Sequence, residues 1–212
     1  MLSVNIMAIT YTTLVGAKTT DGSIRQWVND STIPAESILT EAEAWIYERL
    51  RVREMIAVAS PFTFAVDTAS AALPSDFLDP IQLLPFGWGG AELLYVHERL
   101  LNASRDDDGN LFSGTPSRWT IIGTDAHVDC LCDSDFSGAL MYYACPAALS
   151  ADNATNFLTL RYPTLLRTVC TAFAFSFKKD DARKQIELAL AEKALGDAMR
   201  TNDLYRNGQI AS

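Results

Sequence analysis

The apolar side chains of this 212-residue chain change their spacing twice, and this change constrains the fold more than any single motif. Near the start they recur at helical intervals, with Ile38, Ala42 and Ile46 on one face. Between residues 61 and 153 they fall in short alternating segments bounded by turn-forming residues, and helical intervals return after residue 154. This order excludes a regular alternation of strands and helices and predicts an α+β protein.

The first apolar stripe predicts a helix over residues 35–57. Pro34 suits the first turn of a helix, and Glu36 complements the positive end of the helix dipole. The stripe consists of Ile38, Ala42, Trp45, Ile46 and Leu50. Residues 1–33, before this helix, are expected to be a mixed, polar extension with short extended pieces and a turn at Asp21-Gly22, in which Trp27-Val28 either begins a short helix or anchors the segment.

The middle of the chain predicts strands at 62–66, 118–122, 126–131 and 138–143. A loop is expected at 86–90 and a turn at 106–110, where Asp108-Gly109 favours a left-handed backbone. Residues 92–101 fit either a strand or an amphipathic helix.

The last third predicts two helices, the second running to about residue 200. The first would bury a face made of Leu166, Val169, Cys170, Phe173 and Phe177. The second has apolar positions on more than one face, among them Ile186, Leu188, Leu190, Ala194, Leu195 and Met199.

The predicted architecture is a helical bundle, made of the N-terminal helix and the C-terminal helix pair, with a β-rich insertion between them. The expected bounds are an N-terminal extension at 1–33, the bundle at 34–60 and 154–200, the insertion at 61–153, and a polar C-terminal tail at 201–212.

The net charge of −9 argues against a protein that grips nucleic acid. Such proteins need a basic surface, because neutralising phosphates supplies much of their affinity. The acidic excess lies in residues 61–150, which hold twelve acidic and three basic side chains, whereas residues 151–212 are slightly basic.

We expect no signal peptide and no membrane span, because the chain has neither a basic, apolar leader nor a long uncharged apolar run. The four cysteines, Cys130, Cys132, Cys145 and Cys170, form no disulfide framework and are expected to be reduced in the cytosol.

Candidate chemistry is sparse. His127, Cys130 and Cys132 are zinc-ligand types, but on a strand His127 would point away from the two cysteines. The acidic turn at 106–110 lacks the glutamate that a calcium loop needs at its twelfth position, where Thr115 falls. No phosphate-binding or nucleophile-elbow motif is present, so no catalytic residue, cofactor or metal is expected.

The order of several short motifs resembles the head-to-tail adaptor (connector, or neck) proteins of tailed bacteriophages. The motifs are the Glu/Ala-rich segment with a Trp at 41–50, Leu-Pro-Ser-Asp-Phe-Leu at 73–78, Gly-Thr-Pro-Ser-Arg-Trp at 114–119, Leu-Met-Tyr-Tyr at 140–143, Pro-Ala-Ala-Leu-Ser at 146–150, and 153–160 leading into Arg-Tyr-Pro-Thr-Leu-Leu at 161–166. The segment 128–136 departs from the family pattern, as does the long extension before residue 30.

This resemblance implies a structural virion protein rather than an enzyme. Such proteins form a ring, usually of twelve copies, beneath the portal protein, close the head and carry tail or nozzle proteins, while genomic double-stranded DNA passes through the lumen without specific binding. The expected location is the neck of the virion, with the host cytoplasm during assembly. By analogy, the C-terminal segment docks on the portal, and Leu204, Tyr205, Arg206 and Ile210 are the candidate portal contacts.

Two alternatives stay open at this point. One is another neck or tail-completion protein, which contacts tail components rather than the portal. The other, from a different class, is a small intracellular hydrolase or metal-binding protein that uses Asp, His and Cys residues in the region 125–135.

Overall fold

The computed structural model describes residues 9–87, 92–101 and 110–206, with the backbone alone for 203–206. The protein is a mixed α+β structure, as the sequence predicts, and it divides into two compact units. The helical unit is Met1–Glu54 together with Pro146–Ser212, and the β unit is Met55–Cys145.

The elements are as follows in chain order. The helices are α1 (Tyr11–Leu14), α2 (Ile24–Trp27), α3 (Ala35–Arg49), α4 (Glu98–Leu101), α5 (Phe157–Arg161), α6 (Pro163–Phe177) and α7 (Asp181–Arg206). The strands are β1 (Ile56–Phe64), β2 (Ser70–Ala72), β3 (Phe77–Pro85), β4 (Leu94–Tyr95), β5 (Ser113–Gly114), β6 (Arg118–Ile122), β7 (Asp125–Val128), β8 (Leu131–Cys132) and β9 (Phe136–Ala144). None of the helices in the described ranges is long and apolar enough to cross a membrane.

The described segment before α3 contains two short helices where the sequence predicts mainly short extended pieces, and α2 ends at Trp27, where the sequence allows a short helix to begin. The side chain of Thr10 caps α1 by accepting a hydrogen bond from the amide of Thr13, and Ser23 caps α2 in the same way. The Arg25 guanidinium donates to the carbonyl oxygens of Val15, Gly16 and Ile33. Helices this short are marginal by themselves, so side-chain caps and burial hold them in place.

The helix α3 begins as predicted but ends at Arg49 rather than near residue 57. Leu50 is extended, a 3-10 turn follows at Arg53–Met55, and β1 begins at Ile56. Residues 56–60, which the sequence analysis placed with the helices, therefore lie in a strand. The side chain of Asn202 explains this stop, because it accepts from the Arg53 amide at 3.0 Å and thereby fixes backbone that has left the helix.

The β unit contains a three-stranded antiparallel sheet in the order β1-β9-β3 and a four-stranded sheet in the order β2-β7-β6-β4. The predicted strand at 118–122 matches β6, whereas the predicted strand at 126–131 is interrupted between β7 and β8. The ambiguous segment 92–101 contains both a short strand, β4, and a single helical turn, α4. The predicted turn at 106–110 lies outside the described residues except for Asn110.

Side chains from both sheets form the core of the β unit. Trp119 and Leu140 are fully buried, and Phe64 and Leu83 are almost so. Alternate residues of β9 point into this core, as the alternating pattern of its sequence predicts.

The C-terminal helices α6 and α7 pack on each other, and α3 packs on α6. Pro163 occupies the first turn of α6, where its missing N–H costs nothing. The helix α7 continues to Arg206 instead of ending at about residue 200, so residues 201–206 of the predicted tail are helical.

Gly138 in the central strand β9 has no room for a side chain, since a Cβ there would lie 2.6 Å from the carbonyl oxygen of Leu84. We expect Gly138→Ala to lower the free energy of unfolding by about 2–3 kcal/mol through overpacking. Gly114→Ala is the matched control in the same unit, because no atom lies within 4 Å of its Cβ position. Urea denaturation of both variants tests this, and equal stability of the two would contradict it.

Candidate protein-interaction surfaces

The buried carboxylate of Glu43 joins α3 to the chain that follows the β unit. Its side chain is only 3% exposed. The Oε1 atom accepts from the Tyr47 hydroxyl at 3.0 Å and from Asn156 Nδ2 at 2.9 Å. The amide of Leu149 donates to both carboxylate oxygens, at 3.2 and 3.1 Å. Burial raises the pKa of Glu43, and these three donors act in the opposite direction.

Asn156 extends this cluster into α5. Its Nδ2 atom also donates to the Tyr47 hydroxyl at 2.9 Å, and its Oδ1 atom caps α5 by accepting from the amides of Leu158 and Thr159. The motifs at 41–50, 146–150 and 153–160 therefore meet at one buried joint of the helical unit.

The motifs of the β unit form similar joints. Asp76 accepts from the Tyr142 hydroxyl at 3.0 Å, which links the motifs at 73–78 and 140–143. Asp129 is buried and accepts from the amide and the hydroxyl of Ser117, at 3.0 and 2.7 Å. The residues that carry the phage-adaptor resemblance thus include several that hold each unit together.

The candidate metal ligands do not form a site. His127 pairs across the sheet with Ser70 and Thr120, while Cys130 and Cys132 are buried. Burial, and secondarily the nearby carboxylates, raise the pKa of Cys130 to about 11 and also raise that of Cys132, which disfavours the thiolates that bind metals. Among the described residues, no three His, Cys, Asp or Glu side chains are placed to hold a metal ion.

Two of the aspartates in the region 125–135, and His97, make hydrogen bonds within the β unit. Asp135 accepts from the amide of Val66 at 3.0 Å, and Asp133 accepts from the hydroxyl of Ser134 at 3.2 Å. His97 is exposed, and its Nδ1 atom accepts from the amide of Arg99 at 3.3 Å. The Asp135 contact joins two distant segments and the other two are local, and none of the three is a nucleophile–base pair.

The helix α7 has a buried face and an apolar exposed face. Ala191, Leu195, Ala198 and Asn202 recur at helical spacing on the buried face. Ile186 and Leu190 are 62% and 49% exposed and lie one turn apart on a different face. Phe177, at the end of α6, is 54% exposed, although the sequence analysis placed it on the buried face. We call Ile186 and Leu190 the α7 apolar patch.

The C-terminal end of α7 is fixed by Asn202, which is buried and contacts the backbone of Arg53. Of the candidate portal contacts, Leu204, Tyr205 and Arg206 have helical backbone, while their side chains lie outside the described part of the chain. Ile210 lies outside the described residues altogether.

Comparison with known proteins assigns the chain to one family. A family model described as SU10 adaptor protein matches residues 11–211, which is nearly the whole chain. No curated protein matches it.

Replacing Glu43 tests the buried joint. We expect Glu43→Ala to lower the free energy of unfolding by about 2–4 kcal/mol, because it leaves buried donors unpaired. Glu43→Gln is the matched control, since it keeps one acceptor oxygen and loses less stability. Because the pKa of Glu43 is raised in the folded protein, its carboxyl contributes most to the free energy of unfolding at a pH below its ordinary pKa of 4.5. This contribution is lost as the pH rises through the folded-state pKa.

The stability of the parent relative to Glu43→Gln should therefore be greater near pH ~4 than near pH ~7. Urea denaturation of both proteins at the two pH values measures this difference. If the stability difference between parent and Glu43→Gln is the same at both pH values, the pKa of Glu43 is not raised. If Glu43→Ala is as stable as the parent, the hydrogen bonds to Glu43 do not stabilise the helical unit.

Proposed function

Because the chain belongs to the SU10 adaptor protein family, whose members are structural bacteriophage proteins rather than enzymes, we propose that it is a head-to-tail adaptor. In this proposal its helices form a bundle interrupted by the β-rich insertion, and several copies, twelve by the family resemblance, form a ring beneath the portal protein. The ring joins the capsid to tail or nozzle proteins and surrounds the DNA channel. The family match over residues 11–211 carries the proposal.

The α7 apolar patch supports contact between neighbouring copies. A ring needs a heterologous interface, in which two different surfaces of the same chain meet. Ile186 and Leu190 project from a helix that already packs its other face on α6, so this helix has a second face available for a neighbour.

The end of α7 is suited to the portal contact. Asn202 fixes the last described turns of the helix to the backbone near Arg53. Leu204, Tyr205, Arg206 and Ile210 come directly after this anchor and would dock on the portal protein. The protein would then reside in the neck of the virion after assembly in the host cytoplasm.

The charge of the β unit supports passage of DNA without binding. Residues 55–145 hold twelve acidic and three basic side chains, whereas the rest of the chain is neutral overall. An acidic surface beside the channel would repel the phosphates, so the duplex could slide through the ring.

Electron microscopy of the protein with and without its portal tests the ring. We expect rings on the portal with the parent protein, and loss of these rings with the double variant Ile186→Glu/Leu190→Glu, which places charges on the α7 apolar patch. Lys193→Glu, an exposed charge change on the same helix, is the matched control and should still form rings.

A protein that stays monomeric and does not bind the portal would overturn the adaptor proposal. Binding to tail components without the portal would indicate another neck or tail-completion protein. Rings of the double variant that match those of the parent would show that the α7 apolar patch is not the interface.

The DNA prediction is tested by an electrophoretic mobility assay. We expect no retardation of duplex DNA by micromolar protein at about 150 mM salt, because the repulsion is only partly screened. Clear retardation under these conditions would contradict a channel that lets DNA slide.

A further inference from the structure

The segment Arg-Tyr-Pro-Thr-Leu-Leu at 161–166 lines a groove of the helical unit that the adaptor proposal does not use. The groove has two parts, with volumes of about 270 and 330 Å³, which share Arg161, Tyr162 and Thr201. The other residues of the first part are charged or polar: Arg53, Glu54 and Asn202. Those of the second part are mainly apolar: Pro163, Thr164, Leu165, Ala194, Asp197 and Ala198. A charged end therefore continues into an apolar floor, and we call the whole the Arg161 groove.

The charged end of the Arg161 groove favours an anionic partner. Two guanidinium groups share the Glu54 carboxylate, since its Oε1 atom lies 2.7 Å from Arg161 Nη1 and 3.3 Å from Arg53 Nε. The Glu54 side chain is 16% exposed, whereas that of Arg161 is 54% exposed. A guanidinium carries five N–H donors, so Arg161 can bind a second carboxylate while it holds Glu54. At the apolar end, the carboxylate of Asp197 is paired with Arg200 at 3.3 Å.

The β unit carries an exposed tip with complementary chemistry. Two turns, 65–67 and 133–135, meet there, because the Val66 amide donates to Asp135 Oδ1 at 3.0 Å. All six residues of these turns are exposed, and the apolar side chain of Val66 is 47% exposed. We call the two turns the acidic tip, since none of the six residues is basic and three are acidic: Asp67, Asp133 and Asp135.

The acidic tip cannot reach the charged end of the Arg161 groove in its own chain. The strand β1 contains nine residues and is therefore about 26 Å long. Its first residue, Ile56, follows Glu54 by two positions, and the tip begins directly after its last residue, Phe64. This separation follows from the length of the strand and not from the orientation of the units. The two surfaces can therefore meet only between two copies of the chain.

We propose that the acidic tip of one copy docks in the Arg161 groove of a neighbouring copy. The carboxylates of Asp67 and Asp133 bind the Arg161 guanidinium, and Val66 packs on the apolar floor. Because the two surfaces differ and lie apart on each copy, the contact is heterologous, as a ring requires. The proposal rests on the adaptor proposal for the ring, and it adds a second pair of surfaces beside the α7 apolar patch.

Two full-length variants, each with one surface blocked, test this contact by sedimentation velocity. Thr201→Glu places a carboxylate in the groove at an exposed position and leaves Arg161 unchanged. Asp67→Asn/Asp133→Asn removes two charges from the tip and keeps Asp135, which shapes it. At about 50 mM salt, where charges are weakly screened, we expect the equimolar mixture to associate at least about tenfold more tightly than either variant alone. Only the mixture combines an intact tip with an intact groove, and it can form pairs but no longer polymers.

Matched controls separate this contact from general charge effects. Thr201→Gln adds bulk without charge, and Glu92→Gln/Glu98→Gln removes two exposed charges from the β unit outside the tip, so both should associate as the parent does. A mixture that associates no more than its separate variants overturns the proposal, as does an equal loss of association in Glu92→Gln/Glu98→Gln. Electron microscopy with the portal reports on the adaptor proposal independently. Rings without pairing would reject only this contact, and pairing without portal binding would reject only the adaptor role.

Discussion

The buried carboxylate of Glu43 is the interaction on which the helical unit depends. A carboxylate removed from water is costly unless donors surround it, and here the donors come from Tyr47 on its own helix and from Leu149 and Asn156, more than 100 residues later. These donors fix the position at which the chain re-enters the helical unit after residue 145. The first turn of α5 is part of this re-entry, because Asn156 caps this helix with its other amide atom.

The spacing of apolar residues along the sequence correctly predicted those helices and strands that place their own side chains in a core. The stripe through Ile38, Ala42 and Ile46 is buried as expected, and β6 has the predicted bounds. The predicted end of α3, near residue 57, was wrong. The side chain of Asn202, 149 residues later in the chain, accepts from the Arg53 amide and fixes backbone that is not helical. No local pattern contains that information. Of the two short N-terminal helices, α1 was not predicted, since both depend on caps and burial rather than on periodicity.

The candidate surface was harder to predict than the fold, because α7 has two sets of apolar residues at helical spacing. Periodicity alone could assign Ile186 and Leu190 to the core as readily as Leu195. Packing on α6 selects the face with Ala191, Leu195 and Ala198, where the two alanines allow close approach, and leaves Ile186 and Leu190 exposed. The polar residues of the motifs with a family resemblance do not mark this surface, since Asp76 and Ser117 bind within their own unit.

The charges on and beside the C-terminal helices α6 and α7 indicate how the α7 apolar patch would bind a partner. Several of their basic residues pair with acids: Lys178 Nζ lies 3.6 Å from Asp30 Oδ2, and Arg200 Nη2 lies 3.3 Å from Asp197 Oδ1. Exposed pairs of this kind add little stability, but they reduce the long-range field that would steer a charged partner. The acidic excess of the chain lies in the β unit instead. Contacts through α7 should therefore depend mainly on apolar burial by Ile186 and Leu190, and their affinity should vary little with salt.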